Sequence, residues 1–213
     1  MRFLPDCPGW AGADGVSGSA LRERPVMSEP KSACVIAILG AESTGKTTLA
    51  QDLALALQLK WGLRATWVPE WLRTWCSREG RTPVLEEQEA IARQQTTLIE
   101  AAASEHEVVV CDTTAIMTAV YSELLFADRS LEPMALMAHQ GIHLTLVTDL
   151  DIVWQADGHQ RDGPHVREPV DRTVCDLLTR HQIPWSRVSG SGPQRLTCAL
   201  AHVQATLQRH GFN

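Results

Sequence analysis

This 213-residue chain predicts an α/β fold in three layers, with helices on both faces of a five-stranded, mostly parallel sheet. Three observations carry the prediction. Short apolar, β-branched runs alternate with longer helix-prone stretches along most of the chain. One of those runs, Cys34-Val35-Ile36-Ala37-Ile38-Leu39, passes through Gly40-Ala41-Glu42-Ser43-Thr44-Gly45-Lys46-Thr47 into the helix-prone Leu49-Ala50-Gln51-Asp52-Leu53. Two later runs end abruptly in a carboxylate, at Glu70 and at Asp112.

The elements follow in order. Cys34 to Leu39 is the first strand. The glycine-rich loop after it has the fixed positions of a phosphate-binding loop, in the strand-loop-helix setting such a loop requires. The glycines let the backbone fold round an anion, exposed N–H groups and the helix N-terminus face the phosphates, Lys46 reaches the β and γ oxygens, and Thr47 offers a hydroxyl to Mg²⁺. Gly40, Glu42, Ser43, Thr44, Gly45, Lys46, Thr47 and Thr48 are therefore the expected nucleotide contacts. The fold class narrows to a P-loop NTPase, with ATP and Mg²⁺ as the expected ligands.

An amphipathic helix from about Lys46 to Lys60 carries Leu49, Leu53 and Leu57, and Ala65-Thr66-Trp67-Val68 is the second strand. A long helix spans about Leu85 to Ser104, and Val108-Val109-Val110-Cys111 is a buried third strand delivering Asp112. Thr114 to Leu125 is again helical. A fourth strand covers Ile142 to Val147, a short fifth Trp185 to Val188, and a closing amphipathic helix Pro193 to Arg209. Parallel strands joined by right-handed crossovers bring the loop, Glu70 and Asp112 to one edge of the sheet. The polar segment from Asp151 to Arg172, with Asp157-Gly158, Gly163-Pro164 and three arginines, is expected to be a mobile lid.

Composition bounds the rest. Hydrophobic residues at 44% and charged residues at 21% suit one sizeable core. A formal charge of -6, with no run of lysine or arginine, argues against nonspecific nucleic-acid binding and favours a small-molecule partner. No apolar run approaches membrane-spanning length. The six cysteines lack C-x-x-C spacing and point to a reducing, cytoplasmic setting. Residues 1–30 are broken by prolines and glycines, lack the apolar centre of a secretory signal, and are expected to be a disordered extension. Met27-Ser28-Glu29-Pro30 sits where a natural start would fall, so residues 1–26 are read as an overextended frame or a dispensable leader. Oligomeric state is not legible.

Phosphoryl transfer needs charge neutralisation, a metal and a carboxylate that orients or deprotonates the acceptor. Asp112 is placed to hold Mg²⁺ through water or to contact substrate; the alternative is a cap for the helix beginning near Thr114. Glu70 is the preferred general base or hydroxyl-binding group, against a solvated first-turn glutamate. Which of the two takes the proton stays open. Arg161, then Arg167, is the expected lid arginine on the phosphates; Arg172 is equally well explained as a solvated helix face. Trp71 and Trp75, with Arg73 between them, recur at i,i+4 and form either one wall of an acceptor pocket or core packing.

Together, Gly40 to Leu49, Val68-Pro69-Glu70-Trp71-Leu72-Arg73, Cys111-Asp112-Thr113-Thr114 and Asp149 to Trp154 running into Asp157-Gly158-His159-Gln160-Arg161 resemble the NadR-type ribosylnicotinamide kinases, P-loop small-molecule kinases with an AAA-like ATP-binding domain. The resemblance spans about Val35 to Leu207. It implies ATP-dependent phosphorylation of the ribose 5′-hydroxyl of nicotinamide riboside to nicotinamide mononucleotide, in NAD synthesis. It also implies a kinase domain over residues 31–213, Lys46, Glu70, Asp112 and Arg161 as catalytic residues, Thr47 and Asp112 on the metal, and Glu70, Trp71, Arg73 and Asp112 at the acceptor. The chain departs from the family at Trp71, commonly a tyrosine, and at Arg73-Thr74, commonly Arg-Glu. By the same resemblance Ser189 to Pro193 borders the adenine. The alternatives are another nucleoside or small-metabolite kinase and a regulatory P-loop ATPase; the chain has no Asn-Lys-x-Asp motif of a GTPase.

Overall fold

The structure, a computed structural model, describes residues 32–155 and 163–212. Five strands, β1 (Cys34–Leu39), β2 (Ala65–Val68), β3 (Val108–Asp112), β4 (Leu144–Thr148) and β5 (Ser186–Val188), form one sheet in the order β2-β3-β1-β4-β5. Every pairing is parallel. The expected residues 1–30 extension and the heart of the expected lid lie outside the described residues.

Side chains alternate along β1 and so feed two cores. Cys34, Ile36 and Ile38 face α1 (Lys46–Trp61) and α7 (Gly192–Arg209), where Leu49, Leu53 and Leu57 of one helix meet Ala199, Val203 and Leu207 of the other. Ala37 and Leu39 face a layer that includes α4 (Ala115–Phe126), α5 (Glu132–His139) and α6 (Arg167–Arg180). Val35, Val109 and Cys111 pack against α3 (Leu85–Glu105), which also holds α2 (Trp71–Glu79) through Ile91. The three layers predicted from the strand-helix alternation are thus present. Among the described residues no helix is long and apolar enough to cross a membrane, and Cys34, Cys76, Cys111, Cys175 and Cys198 are free thiols.

The corrections are local. β4 starts at Leu144 rather than Ile142, because the Ile142 N–H closes a turn on the His139 carbonyl. β5 starts at Ser186 rather than Trp185. The short helix α5 was not expected. Helix α6 begins inside the stretch expected to be a mobile lid: Val170, Val174, Leu177 and Leu178 are buried at helical spacing, and Arg187 of β5 grips Asp171 at 2.5 and 3.2 Å. From Arg167 onward this segment is part of the core.

The sheet matters to function through its register. Asp112 pairs with Ile38, and Cys111 with Val68, so the carboxyl ends of β1, β2 and β3 emerge side by side. The phosphate loop, Glu70 and Asp112 share that edge as predicted.

Candidate active site

The loop from Gly40 to Thr47 is held by contacts that leave little freedom. Gly40 has φ 137°, and a Cβ there would come within 2.3 Å of Thr148 Oγ1 at the end of β4, so only glycine fits. Thr44, fully buried, donates to or accepts from Thr148 Oγ1 at 2.7 Å and bonds the Ala41 carbonyl at 2.8 Å. Its hydroxyl therefore locks the loop rather than facing a ligand. Lys46 Nζ donates to the same Ala41 carbonyl at 2.8 Å. Gly45 is left-handed at φ 75° and starts α1 without a side-chain cap, leaving the helix N-terminus to an anion.

Asp112 is 1% exposed. Its Oδ2 accepts the Thr47 hydroxyl at 2.5 Å, and its Oδ1 is buried with no hydrogen-bond partner among the described residues. The cap for α4 is Thr114, whose hydroxyl accepts from the Ile116 N–H at 3.3 Å, so Asp112 is not spent on capping. A buried carboxylate oxygen without a donor, beside a hydroxyl, is a donor set that suits a hard, oxygen-seeking cation. Thr113 follows at φ 70°, a left-handed threonine of the strained kind that collects at functional sites.

Glu70 is the residue before α2, but its side chain caps nothing there. It lies 3.7 Å from Arg73 Nε, and its position is fixed from behind by Gln95 of α3. That buried amide accepts the Trp71 N–H at 2.7 Å and donates to the Pro69 carbonyl at 3.3 Å. Glu70 is thus pinned on both sides by its neighbours' backbone.

Two hollows meet at the loop. One, a cleft of about 640 Å³, runs along Gly45, Thr47, Thr48 and Asp52 to Ile152, Gly192 and Arg195. The other, a cavity of about 260 Å³, is walled by Glu42, Glu70, Leu72, Cys76, Gln88, Tyr121, Leu124 and Val170. Ser43, Lys46 and Arg73 line both. Of the two readings of Trp71 and Trp75, the core one fits: both pack with Cys76 and Ile91, and the rings that line the cavity are Tyr121 of α4 and the imidazole of His165. The reason is the direction in which α2 rolls, burying the tryptophan edge on α3 and presenting Leu72, Arg73 and Cys76 to the cavity.

The arginines separate. Arg161 lies outside the described residues. Arg167, 7% exposed, donates to the Ile152 carbonyl at 2.9 Å, while its Nε and second terminal nitrogen have no partner among the described residues. Arg172 is exposed on α6. The arginine that sequence reasoning missed is Arg195, which at 3% exposure is buried in α7. It donates to the Thr44 carbonyl at 2.7 Å, to the Gly190 carbonyl at 2.6 Å and to the Asp149 carbonyl at 3.4 Å, and it pairs with Asp151. Burial pulls its guanidinium below the usual range, opposed by the charges of Asp151 and Asp149. Asp151 also accepts the Gly190 N–H at 2.5 Å, so one ion pair ties the phosphate loop to the glycine turn that borders the same cleft. No group of three or more His, Cys, Asp or Glu side chains arranged for a metal occurs among the described residues.

Comparison with known proteins gives the fold a context. A solved structure of NadR protein in complex with NAD and AMP-PNP superposes with TM-score 0.65 at 17% identity, covering 83% of this chain and 50% of that one. NadR protein in complex with NR gives 0.67 at 18%, covering 82% and 51%. Thymidylate kinase from Ehrlichia chaffeensis gives 0.56 at 13%, covering 82% and 98%. The chain spans about half the length of the NadR chains it matches. No curated protein matches it by sequence. The fold is that of a NadR-like P-loop kinase, and a model of the AAA domain matches residues 35–195, from the second residue of β1 to the arginine that clamps the phosphate loop, so the chain belongs to the AAA domain family.

Proposed function

We propose that this protein transfers the γ-phosphoryl group of ATP to the ribose 5′-hydroxyl of nicotinamide riboside, giving nicotinamide mononucleotide. The observation that carries the reading is the shared wall: Ser43, Lys46 and Arg73 line both the loop-side cleft and the second cavity, so a nucleotide in the first presents its terminal phosphate to whatever fills the second. A hydrolase has no use for a second, largely apolar hollow beside the phosphates, which weighs against the regulatory ATPase.

The two carboxylates divide the work. Thr47 and Asp112 would hold Mg²⁺, which when bound neutralises the β and γ oxygens. Glu70 lines only the acceptor cavity and takes the hydroxyl proton as the acceptor oxygen bonds to the γ-phosphorus and the bond to the β-phosphate oxygen breaks. Lys46 swings from the Ala41 carbonyl to the migrating phosphoryl, and Arg167, whose Nε and second terminal nitrogen have no partner among the described residues, would turn to the same oxygens from the start of α6. Arg161, the first choice from the sequence, is proposed for the same charge. The glycine turn at Gly190 to Gly192 borders the base of ATP.

The neighbour in complex with NR supports this acceptor. A second reading, another nucleoside or small-metabolite kinase, draws on the likeness to thymidylate kinase, 98% of whose chain is covered. ADP release with Mg-ATP, scanned over nicotinamide riboside, ribonucleosides, deoxyribonucleosides and thiamine, with product mass and Lys46→Ala as control, separates them. Stimulation by nicotinamide riboside alone supports the proposal; another acceptor replaces the substrate, and turnover indifferent to every acceptor overturns the kinase.

A further inference from the structure

Gln88 and Gln95 stand seven residues apart on α3, two helical turns along the same face. Both are buried, at 1% and 3% exposure. Gln95 spends its amide on the backbone either side of Glu70. Gln88 spends its amide on nothing described: Oε1 is buried without a partner, and the residue lines the acceptor cavity. Buried polar side chains are nearly always hydrogen-bonded, so an orphan amide in a cavity wall marks a place where a ligand supplies the missing partner.

The chemistry of that partner is constrained. A primary amide offers an acceptor and donors side by side and can turn over to exchange them. Its complement is a donor beside an acceptor on the rim of a ring, as in a primary carboxamide or the N–H and C=O edge of a nucleobase. A ring carboxylate has two acceptors and would set one of them against Oε1. Glu42 and Glu70 in the same wall are offset by Lys46 and Arg73, so discrimination against such an anion falls to the amide itself.

We propose that Gln88 is a specificity residue of the acceptor cavity, binding a neutral ring substituent that carries a donor beside an acceptor and rejecting the corresponding carboxylate. This rests on the kinase reading above, with Glu70 at the hydroxyl and Gln88 at the far ring.

The test measures kcat and KM at saturating Mg-ATP for nicotinamide riboside, its ring-carboxylate analogue and the unsubstituted pyridine riboside, in the wild type, Gln88→Met and Gln88→Glu. Melting temperature and the Kd of Mg-ATP establish that each variant is folded. The wild type should prefer carboxamide to carboxylate by at least about tenfold in kcat/KM. Gln88→Met should lose about ten- to a hundredfold on the carboxamide, chiefly through KM, and stay within about twofold on the unsubstituted riboside. Gln88→Glu should keep part of the carboxamide activity and reject the carboxylate further; if the methionine variant does not fold, this ratio decides alone. If the acceptor scan yields another nucleoside, the same comparison is made between its base and the N-methylated base. A carboxamide-to-carboxylate ratio indifferent to residue 88 in an active enzyme overturns this inference and leaves the kinase intact. A wild type that phosphorylates no acceptor overturns both.

Discussion

The two hollows that meet at Lys46 are built by opposite means. The phosphate side has a floor contiguous in sequence, Ser43 to Leu49, whose shape is enforced by contacts such as the Gly40 approach to Thr148. The acceptor side is assembled from α2, the start of α3, the end of α4 and the start of α6, no two of them consecutive in its wall except α2 and α3. A binding site for a common ligand can be written as one motif. A site for a particular acceptor has to be composed from distant side chains, because only their identities vary while the sheet edge stays fixed.

The sharpest way to break the comparison is to remove the carboxylate assigned to the acceptor hydroxyl. Glu70→Gln should lower kcat with the true acceptor by about 10²- to 10⁴-fold, the usual worth of general base catalysis, while the Kd of Mg-ATP stays within about twofold. Asp112→Asn should do the reverse in character, raising the Mg²⁺ concentration needed for half-maximal rate. Stopped turnover with an unchanged acceptor KM in the first variant, and a shifted Mg²⁺ titration only in the second, would confirm the division. Equal metal sensitivity in both would merge the two roles.

Next in size is Arg195→Leu. The substitution leaves the Thr44, Gly190 and Asp149 carbonyls without a donor and Asp151 without its cation. Asp151 is one-third exposed, so the loss comes chiefly from the carbonyls stripped of their donor, about 1–3 kcal/mol. Chemical denaturation should show the loss, and the surviving folded fraction should bind Mg-ATP more weakly, because the loop and the glycine turn no longer share an anchor. A stability loss under about 1 kcal/mol would mean that the clamp is ornamental.

A smaller effect concerns the scaffold that both hollows share. His139 of α5 bonds Thr145 Oγ1 at 2.9 Å near the amino end of β4, and burial pushes its ring down to about 4. The unfolded chain binds this proton near pH 6.5 and the folded chain only near 4, so more protons are bound unfolded across that interval and stability falls as pH drops through it. The full contribution, present above about pH 6.5 and lost by about pH 4, is on the order of 3 kcal/mol. His139→Gln should flatten the wild-type slope of unfolding free energy over this window. Nucleotide and acceptor affinities per folded molecule should stay together as pH falls, since neither hollow contains the ring.

What was legible in the chain follows the same division. β1, the loop, α1, β2 and β3 were readable because apolar runs and glycines at fixed spacing report backbone needs directly. Thr44 lines the cleft as the motif predicts, while the turn of its hydroxyl towards Thr148 is a detail no motif carries. Helix α6 was hidden in polar sequence although Val170, Val174, Leu177 and Leu178 kept its period, and α5 was too short for a period to show. Arg195 resembled any charge on an amphipathic helix; only the tertiary fold turns it inward. Gln95, which fixes Glu70, carried no local signal at all, because its partners lie in a different element.

The smallest effect separates the two aromatic candidates for the acceptor wall. Sequence spacing left Trp71 with Trp75 as either pocket wall or core; the fold places Trp71 against Trp75, Cys76 and Ile91, with the Arg78 guanidinium 5.9 Å from its ring, and brings Tyr121 to the cavity. An aromatic ring stacked on a heterocycle contributes about 0.5–1.5 kcal/mol beyond its buried area, equivalent to a roughly two- to tenfold change in affinity. Tyr121→Leu should therefore raise the acceptor KM by that factor with kcat nearly constant. Trp71→Leu should lower the melting temperature through lost packing and move the acceptor KM by less than about twofold. The reverse pattern would mean that α2 rotates when the acceptor enters, carrying the tryptophan edge from the α3 interface to the cavity, and the acceptor side would then be a chamber that forms on binding rather than one that waits for its ligand.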